Sequence, residues 1–198
     1  MRMKTSRLTK IALMAALLCI ISPFAITFPF SPVPISLATL MLYLCIYILG
    51  RHDAVISCAI YLLIGLVGIP VFSGFTGGIG KVLGPTGGYL IGYLLLVYIS
   101  GWFVEKWSQS SKNGNLRKEE TRSYRYLNYL MQGIGMILGT AICYLFGSLW
   151  LSYQLNMNFT TALSVGVLPF VLGDILKIVV GVVVGVSVRK RLAKVGMI

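Results

Sequence analysis

Long apolar runs separated by short polar breaks fill most of this chain, at roughly 9–27, 35–50, 54–70, 88–105, 126–153 and 169–188. A helix rises 1.5 Å per residue, so about 20 apolar residues cross the roughly 30 Å of hydrocarbon in a bilayer. The pattern predicts an all-α integral membrane bundle of six transmembrane helices, forming one domain over residues 1–198. Only Gly50-Arg51-His52-Asp53 separates the second and third runs, a tight polar turn that lays them antiparallel. The fifth run is long enough to tilt or to begin outside the bilayer. Phe159 to Arg189 is too long for one ordinary span. Pro169 suits a first helical turn, so 159–168 reads as a short outer element.

Composition agrees with the pattern. With 57% hydrophobic residues, 11% charged residues and a mean hydropathy of +0.87, the chain is far more apolar than a soluble domain. Charge then sets the orientation. With a cytoplasmic N-terminus, every Lys and Arg except Lys81 and Lys177 falls in an inner segment, as the positive-inside rule requires. Both termini are therefore expected in the cytoplasm of a multi-pass cell-membrane protein. The net charge of +12 follows from that topology and needs no nucleic acid. The first run has the basic start of a secretory signal, but no small-x-small cleavage site follows it and Leu18 before Cys19 spoils a lipoprotein site. It is read as a span. Residues 106–125 are polar, mixed in charge and without apolar periodicity, a cytoplasmic loop suited to contact with anionic lipid.

Several kinds of chemistry are poorly supplied. Cys19, Cys45, Cys58 and Cys143 fall in different runs with no C-x-x-C spacing, so they read as small apolar residues, not metal ligands. The one histidine, His52, reads as part of an interfacial turn. With five acids and no Ser-His or metal constellation, the chain lacks the parts of an enzyme. Gly80-Lys81 fails as a phosphate loop, because Phe75 stands at the opening glycine and Val82 at the Ser or Thr.

Asp174 and Lys177 are the only charges in 169–186. Each ionisable group costs roughly 2.5 to 3.5 kcal/mol at a helix centre on insertion scales, and spacing i, i+3 puts both on one face. Two roles fit: an ion pair that clips this helix to a neighbour, or a binding site with an acceptor beside a donor. If Pro169 starts the helix, Asp174 lies about 8 Å below its outer end. Small residues recur four apart at Ala12 and Ala16, Gly88 and Gly92, Gly135 and Gly139, and Gly181 and Gly185, spacing that lets helix backbones approach closely. Most such pairs serve packing inside the bundle; Ala12, Ala15 and Ala16 form a smooth patch where a partner helix could dock. Two outer loops, the proline-rich FPFSPVPIS and the glycine-rich stretch up to GPTGGY, are candidates for a lid, or else simply connect helices.

PVPISLATL, GGIGKVLGPTGGYL and GDILK, in that order along nearly the whole chain, resemble the signature stretches of BioY, the biotin-specific S component of energy-coupling factor (ECF) transporters. The resemblance implies a six-helix bundle that captures biotin from outside. It implies no cofactor and no ATPase in this chain, with energy from a transmembrane T component and two ABC-type ATPases. A stand-alone biotin transporter remains the alternative. By motif, Asp174 and Lys177 match the ligand-contacting acid and base, and Ala12 and Ala16 match the A-x-x-x-A contact with the T component. Gly84, Pro85, Thr86, Gly87, Gly88 and Tyr89 match the loop above the site, and Gly77 and Gly78 belong to the same loop. The chain departs from the pattern at Ala38, where Gln is usual, and at Leu172, where Pro is usual.

Biotin offers a cyclic urea with two N–H donors and one carbonyl acceptor, an apolar ring and a pentanoate tail. A carboxylate that accepts from the urea and an ammonium that donates to it complement that group. Tyr144 and Trp150 by depth, and Tyr89 by its place under the loop, are candidates for the walls around the rings, with packing against neighbouring helices as their other role. Thr76, loop N–H groups and Lys81 are the candidate donors to the pentanoate.

Overall fold

The computed structural model describes residues 5–28, 31–110 and 120–195. In chain order the elements are α1 (Thr5–Ile21), β1 (Ala25–Phe28), β2 (Ser31–Ser36), α2 (Ala38–Leu49), α3 (Arg51–Leu66), α4 (Ile79–Val82), α5 (Gly87–Ser110), α6 (Glu120–Gln154), α7 (Phe159–Gly166) and α8 (Leu168–Lys194). By length and apolarity alone, Gly87–Ser108, Tyr126–Gln154 and Leu168–Lys194 suffice to cross a membrane, while Ala38–Leu49 is apolar but shorter. The short element expected before the last run is present as α7, and Pro169 lies in the first turn of α8.

The chain differs from its sequence reading at three places. The first run does not stay helical to residue 27. Pro23 has no N–H and disfavours a helical residue before it, so α1 stops at Ile21 and the chain turns into a hairpin that pairs Ala25 with Ser36 and Ile26 with Ile35. The purely α expectation thus gains a two-stranded ribbon, in which Pro32 and Pro34 are tolerated because the sheet has no central strand. Second, the polar turn at 50–53 narrows to Gly50, since Arg51, His52 and Asp53 already form the first turn of α3. Gly50 has φ 79°, a conformation that L side chains rarely adopt. Third, α5 continues to Ser110 and α6 begins at Glu120, so the expected loop 106–125 shortens from both sides; its centre, 111–119, lies outside the described residues.

Glycine spacing fixes how the helices approach. A Cβ on Gly88 would come within 2.3 Å of Trp150, one on Gly139 within 2.4 Å of Ser100, and one on Gly185 within 2.0 Å of the Tyr47 ring. Backbone contact of this kind holds α5 against α6 and α2 against α8 where no hydrophobic effect drives association. Tyr43, Tyr47, Tyr61 and Phe72 are the largest fully buried side chains. Leu172, Leu176, Val179 and Val183 form an exposed stripe on α8, while Asp174, Ile178, Gly181 and Gly185 face inward. At the ends of α1, α3 and α5, Arg7 pairs with Asp53 and Arg51 with Glu105, whose carboxylate also accepts the Arg51 backbone N–H at 2.6 Å.

Candidate functional site

Asp174 lies on the inward face of α8, about 9 Å along the helix axis from Leu168 at 1.5 Å per residue. Both of its oxygens are engaged. Tyr144 on α6 donates its hydroxyl to Oδ2 at 2.5 Å, and Lys177 donates from Nζ to Oδ1 at 2.8 Å. The ammonium also donates to the backbone carbonyl of Ser36 at 2.7 Å. Side-chain exposure is 9% for Asp174 and 12% for Lys177, so the pair sits inside the bundle. The hairpin, α6 and α8 thus meet at one polar point. Charge-assisted bonds at that point offset the cost of bringing both ions in from water.

Ser36 is a contact that the sequence did not single out. Its Oγ accepts the Ala38 N–H at the start of α2 and donates to the carbonyl of Ser22 after α1, while its own carbonyl receives Lys177. A backbone acceptor carries no residue signature. Ser36 also lines an apolar cavity of about 410 Å³ between the hairpin and Gly74–Phe75, which the Phe24 and Phe75 rings flank edge to face at 5.5 Å.

The remaining predicted residues divide by location. Tyr89 is buried with its ring on Gly147 and donates to the carbonyl of Gly166 at 2.9 Å, joining α5 to α7. Trp150 donates its indole N–H to the carbonyl of Gly84 at 2.9 Å, pinning the GPTGGY segment to α6. Gly87 and Gly88 are the first residues of α5 rather than loop; Gly87 presses on the Val82 carbonyl and Gly88 on Trp150. Thr86 is buried and its carbonyl accepts from Tyr89 and Leu90 N–H, which starts that helix; Gly84 and Pro85 link it to α4. Gly77 packs on the Ile69 carbonyl, and Gly78, with φ 90°, precedes α4. Thr76 spends its hydroxyl on Ser73 within its own turn. Lys81 is half-buried in α4, and burial pushes its ammonium below the ordinary lysine range. Of these side chains, Tyr144 is the one hydrogen-bonded to the pair. Ala12 and Ala16 are exposed on α1, whereas Ala15 is buried. Leu172 points outward at 82% exposure, away from the pair, while Ala38 is buried at the head of α2.

Apolar helices around an internal, hydrogen-bonded ion pair define a multi-pass membrane protein with a polar site inside its bundle. The chain belongs to the BioY family, which it matches over residues 1–194. It is 33% identical over 165 residues to the biotin transporter BioY of Thermotoga maritima, covering 83% of this chain and 86% of that protein. With the biotin transporter BioY2 of Lactococcus lactis the identity is 32% over 190 residues, covering 96% and 93%. A crystal structure of the S-component for biotin from an ECF-type ABC transporter superposes with a TM-score of 0.79 at 30% identity, covering 96% of this chain and 95% of that one. A transporter family with several apolar helices makes this a multi-pass cell-membrane protein.

Proposed function

We propose that the chain is the biotin-capturing membrane subunit of an ECF-type importer, crossing the bilayer six times with both termini in the cytoplasm. The crossings are α1, α2, α3, α5, α6 and α8. The hairpin, α4 and α7 each join helix ends on the outer side, and basic residues collect at the opposite ends, as the positive-inside rule requires.

One observation carries the ligand assignment: the donors and acceptors that the ion pair leaves spare. An ammonium has three N–H groups, and Lys177 commits two, to Ser36 and Asp174. Each Asp174 oxygen accepts one bond and keeps a second lone pair. One donor beside the two acceptor oxygens of one carboxylate complements a cyclic urea, which has one carbonyl and two N–H groups. The names of the relatives point to the same ligand.

The chain acts as a transport subunit, not a catalyst, and bound ligand leaves it unchanged. Energy comes from a T component and two ABC-type ATPases, with α1 as the docking helix, because Ala12 and Ala16 present a smooth exposed surface against which another helix can pack closely. Equilibrium binding of biotin to the detergent-purified protein tests the site. Saturable binding is expected, weakened at least about thirtyfold by Asp174→Asn or Lys177→Met, since each leaves a buried charge without its partner. Binding undiminished in both variants would overturn the assignment.

A further inference from the structure

On α2, three side chains one turn apart, Tyr47, Tyr43 and Thr39, follow the face packed on α8. Gly185 receives the Tyr47 ring and Gly181 lies against Tyr43. Both helices advance by four residues per step, so the next level outward sets Thr39 beside Lys177. Each of the two tyrosines also reaches a polar partner on α6. The Tyr47 hydroxyl donates to Gln132 Oε1 at 2.8 Å, and the Tyr43 hydroxyl shares a hydrogen bond with Thr140 Oγ1 at 2.6 Å. At the third level the pattern breaks. A short threonine replaces the tyrosine, and the α6 residue one turn beyond Thr140, Tyr144, turns its hydroxyl to Asp174 instead.

That break leaves Thr39 in an unusual state. The residue is 9% exposed, and its Oγ1 is buried with no hydrogen-bond partner among the described residues. Thr39 is the second residue of α2 and the residue four before it, Ile35, lies in β2, so no helical carbonyl stands there to receive the hydroxyl, and a buried hydroxyl without a partner is costly. The hydroxyl stands at the level of Lys177, whose ammonium reaches outward to the Ser36 carbonyl, three residues before Thr39.

From this we infer that Thr39 is a specificity-determining residue of the Asp174–Lys177 site, its hydroxyl donating a second hydrogen bond to the ligand carbonyl that takes the spare N–H of Lys177. The inference rests on the reading of that pair as the biotin site. A carbonyl oxygen has two lone pairs, so an ammonium and a hydroxyl together saturate it. Threonine is shorter than the tyrosines of the inner levels, and its hydroxyl supplies the contact that the missing phenol cannot.

The test compares binding of biotin and of its thiocarbonyl analogue, a weaker hydrogen-bond acceptor, to the full-length protein and to Thr39→Val, Thr39→Ser and Asp174→Asn. Thr39→Val keeps the shape and removes the hydroxyl. It is expected to weaken biotin about fivefold to tenfold and the thio analogue by less than about threefold, so that the preference between them narrows. Thr39→Ser is expected to keep both affinity and preference. Equal losses for the two ligands in Thr39→Val, no loss for either, or a loss in Thr39→Ser as large as in Thr39→Val would overturn the role of Thr39. Asp174→Asn separates the two failures: if it binds biotin like the parent chain, the site reading falls; if it loses biotin while Thr39→Val does not, the Thr39 inference falls alone.

Discussion

The hydroxyl of Tyr144 on α6 lies 2.5 Å from Asp174 Oδ2 on α8, and it is the contact from α6 that holds the carboxylate in place beside Lys177. The two residues are 30 positions apart, on helices that the short α7 joins. A carboxylate fixed on one oxygen by a phenol and on the other by an ammonium cannot rotate without breaking a bond. That makes it a preorganised acceptor.

Tyr144→Phe removes the phenol bond while keeping the ring. A buried carboxylate oxygen then loses its donor, at a cost of about 1 to 3 kcal/mol. Biotin affinity is expected to fall by about fivefold to a hundredfold. In a cycle with Asp174→Asn the two effects should fall short of additivity, since both act on one contact. Isothermal titration on the four proteins measures this, and full additivity would argue against the coupling.

Gly185→Leu places a branched side chain where a Cβ alone would meet the Tyr47 ring at 2.0 Å. Parting α2 from α8 costs about 1 to 3 kcal/mol or more for such overpacking. It also disturbs the level that supports the site. A lowered midpoint of thermal unfolding in detergent is expected, together with weakened biotin binding. Gly133→Leu, where a Cβ meets nothing within 4 Å, is the control and should lower neither.

Glu105→Ala removes the side chain that accepts the Arg51 N–H and so caps the start of α3. Loss of a cap costs about 1 kcal/mol. Thermal stability should fall modestly while biotin affinity stays within about twofold, because the contact lies at the far ends of the helices from Asp174. A large affinity loss would instead show that the two ends are coupled.

Ala12→Leu with Ala16→Leu roughens the exposed face of α1 without entering the core, since both positions are exposed. Biotin binding by the isolated chain should be unchanged. Co-purification with the proposed T component and ATPases should be lost, because helices meeting at small residues tolerate no bulk between them. Retained co-purification would move the docking surface elsewhere.

Much of this was legible along the chain because it rests on local or periodic rules. Apolar runs had to become helices, since a backbone in hydrocarbon must satisfy its own hydrogen bonds. Spacing of three residues set Asp174 and Lys177 on one face, and spacing of four marked Gly181 and Gly185 as a contact surface. Pro169 marked the start of α8 to within one residue. The hairpin was not legible, because Ala25 and Ile26 look like the end of an apolar span until Ser36 and Ile35 pair with them. Nor was the place of Gly87, which looks like a turn residue and is the first residue of α5, while Gly88, read both as the end of the loop and as the start of the fourth run, is helical with Trp150 against it.

The sequence by itself determined a helical membrane protein with one buried acid and one buried base a turn apart, because burying charge in an apolar segment is costly wherever that segment lies. Only the tertiary structure decided what those charges meet: the Tyr144 hydroxyl, the Ser36 carbonyl 141 positions from Lys177, and a level of the bundle where threonine stands in place of tyrosine. Those contacts join residues far apart in the chain, and they exist because glycines let the helices come close enough to bring them together.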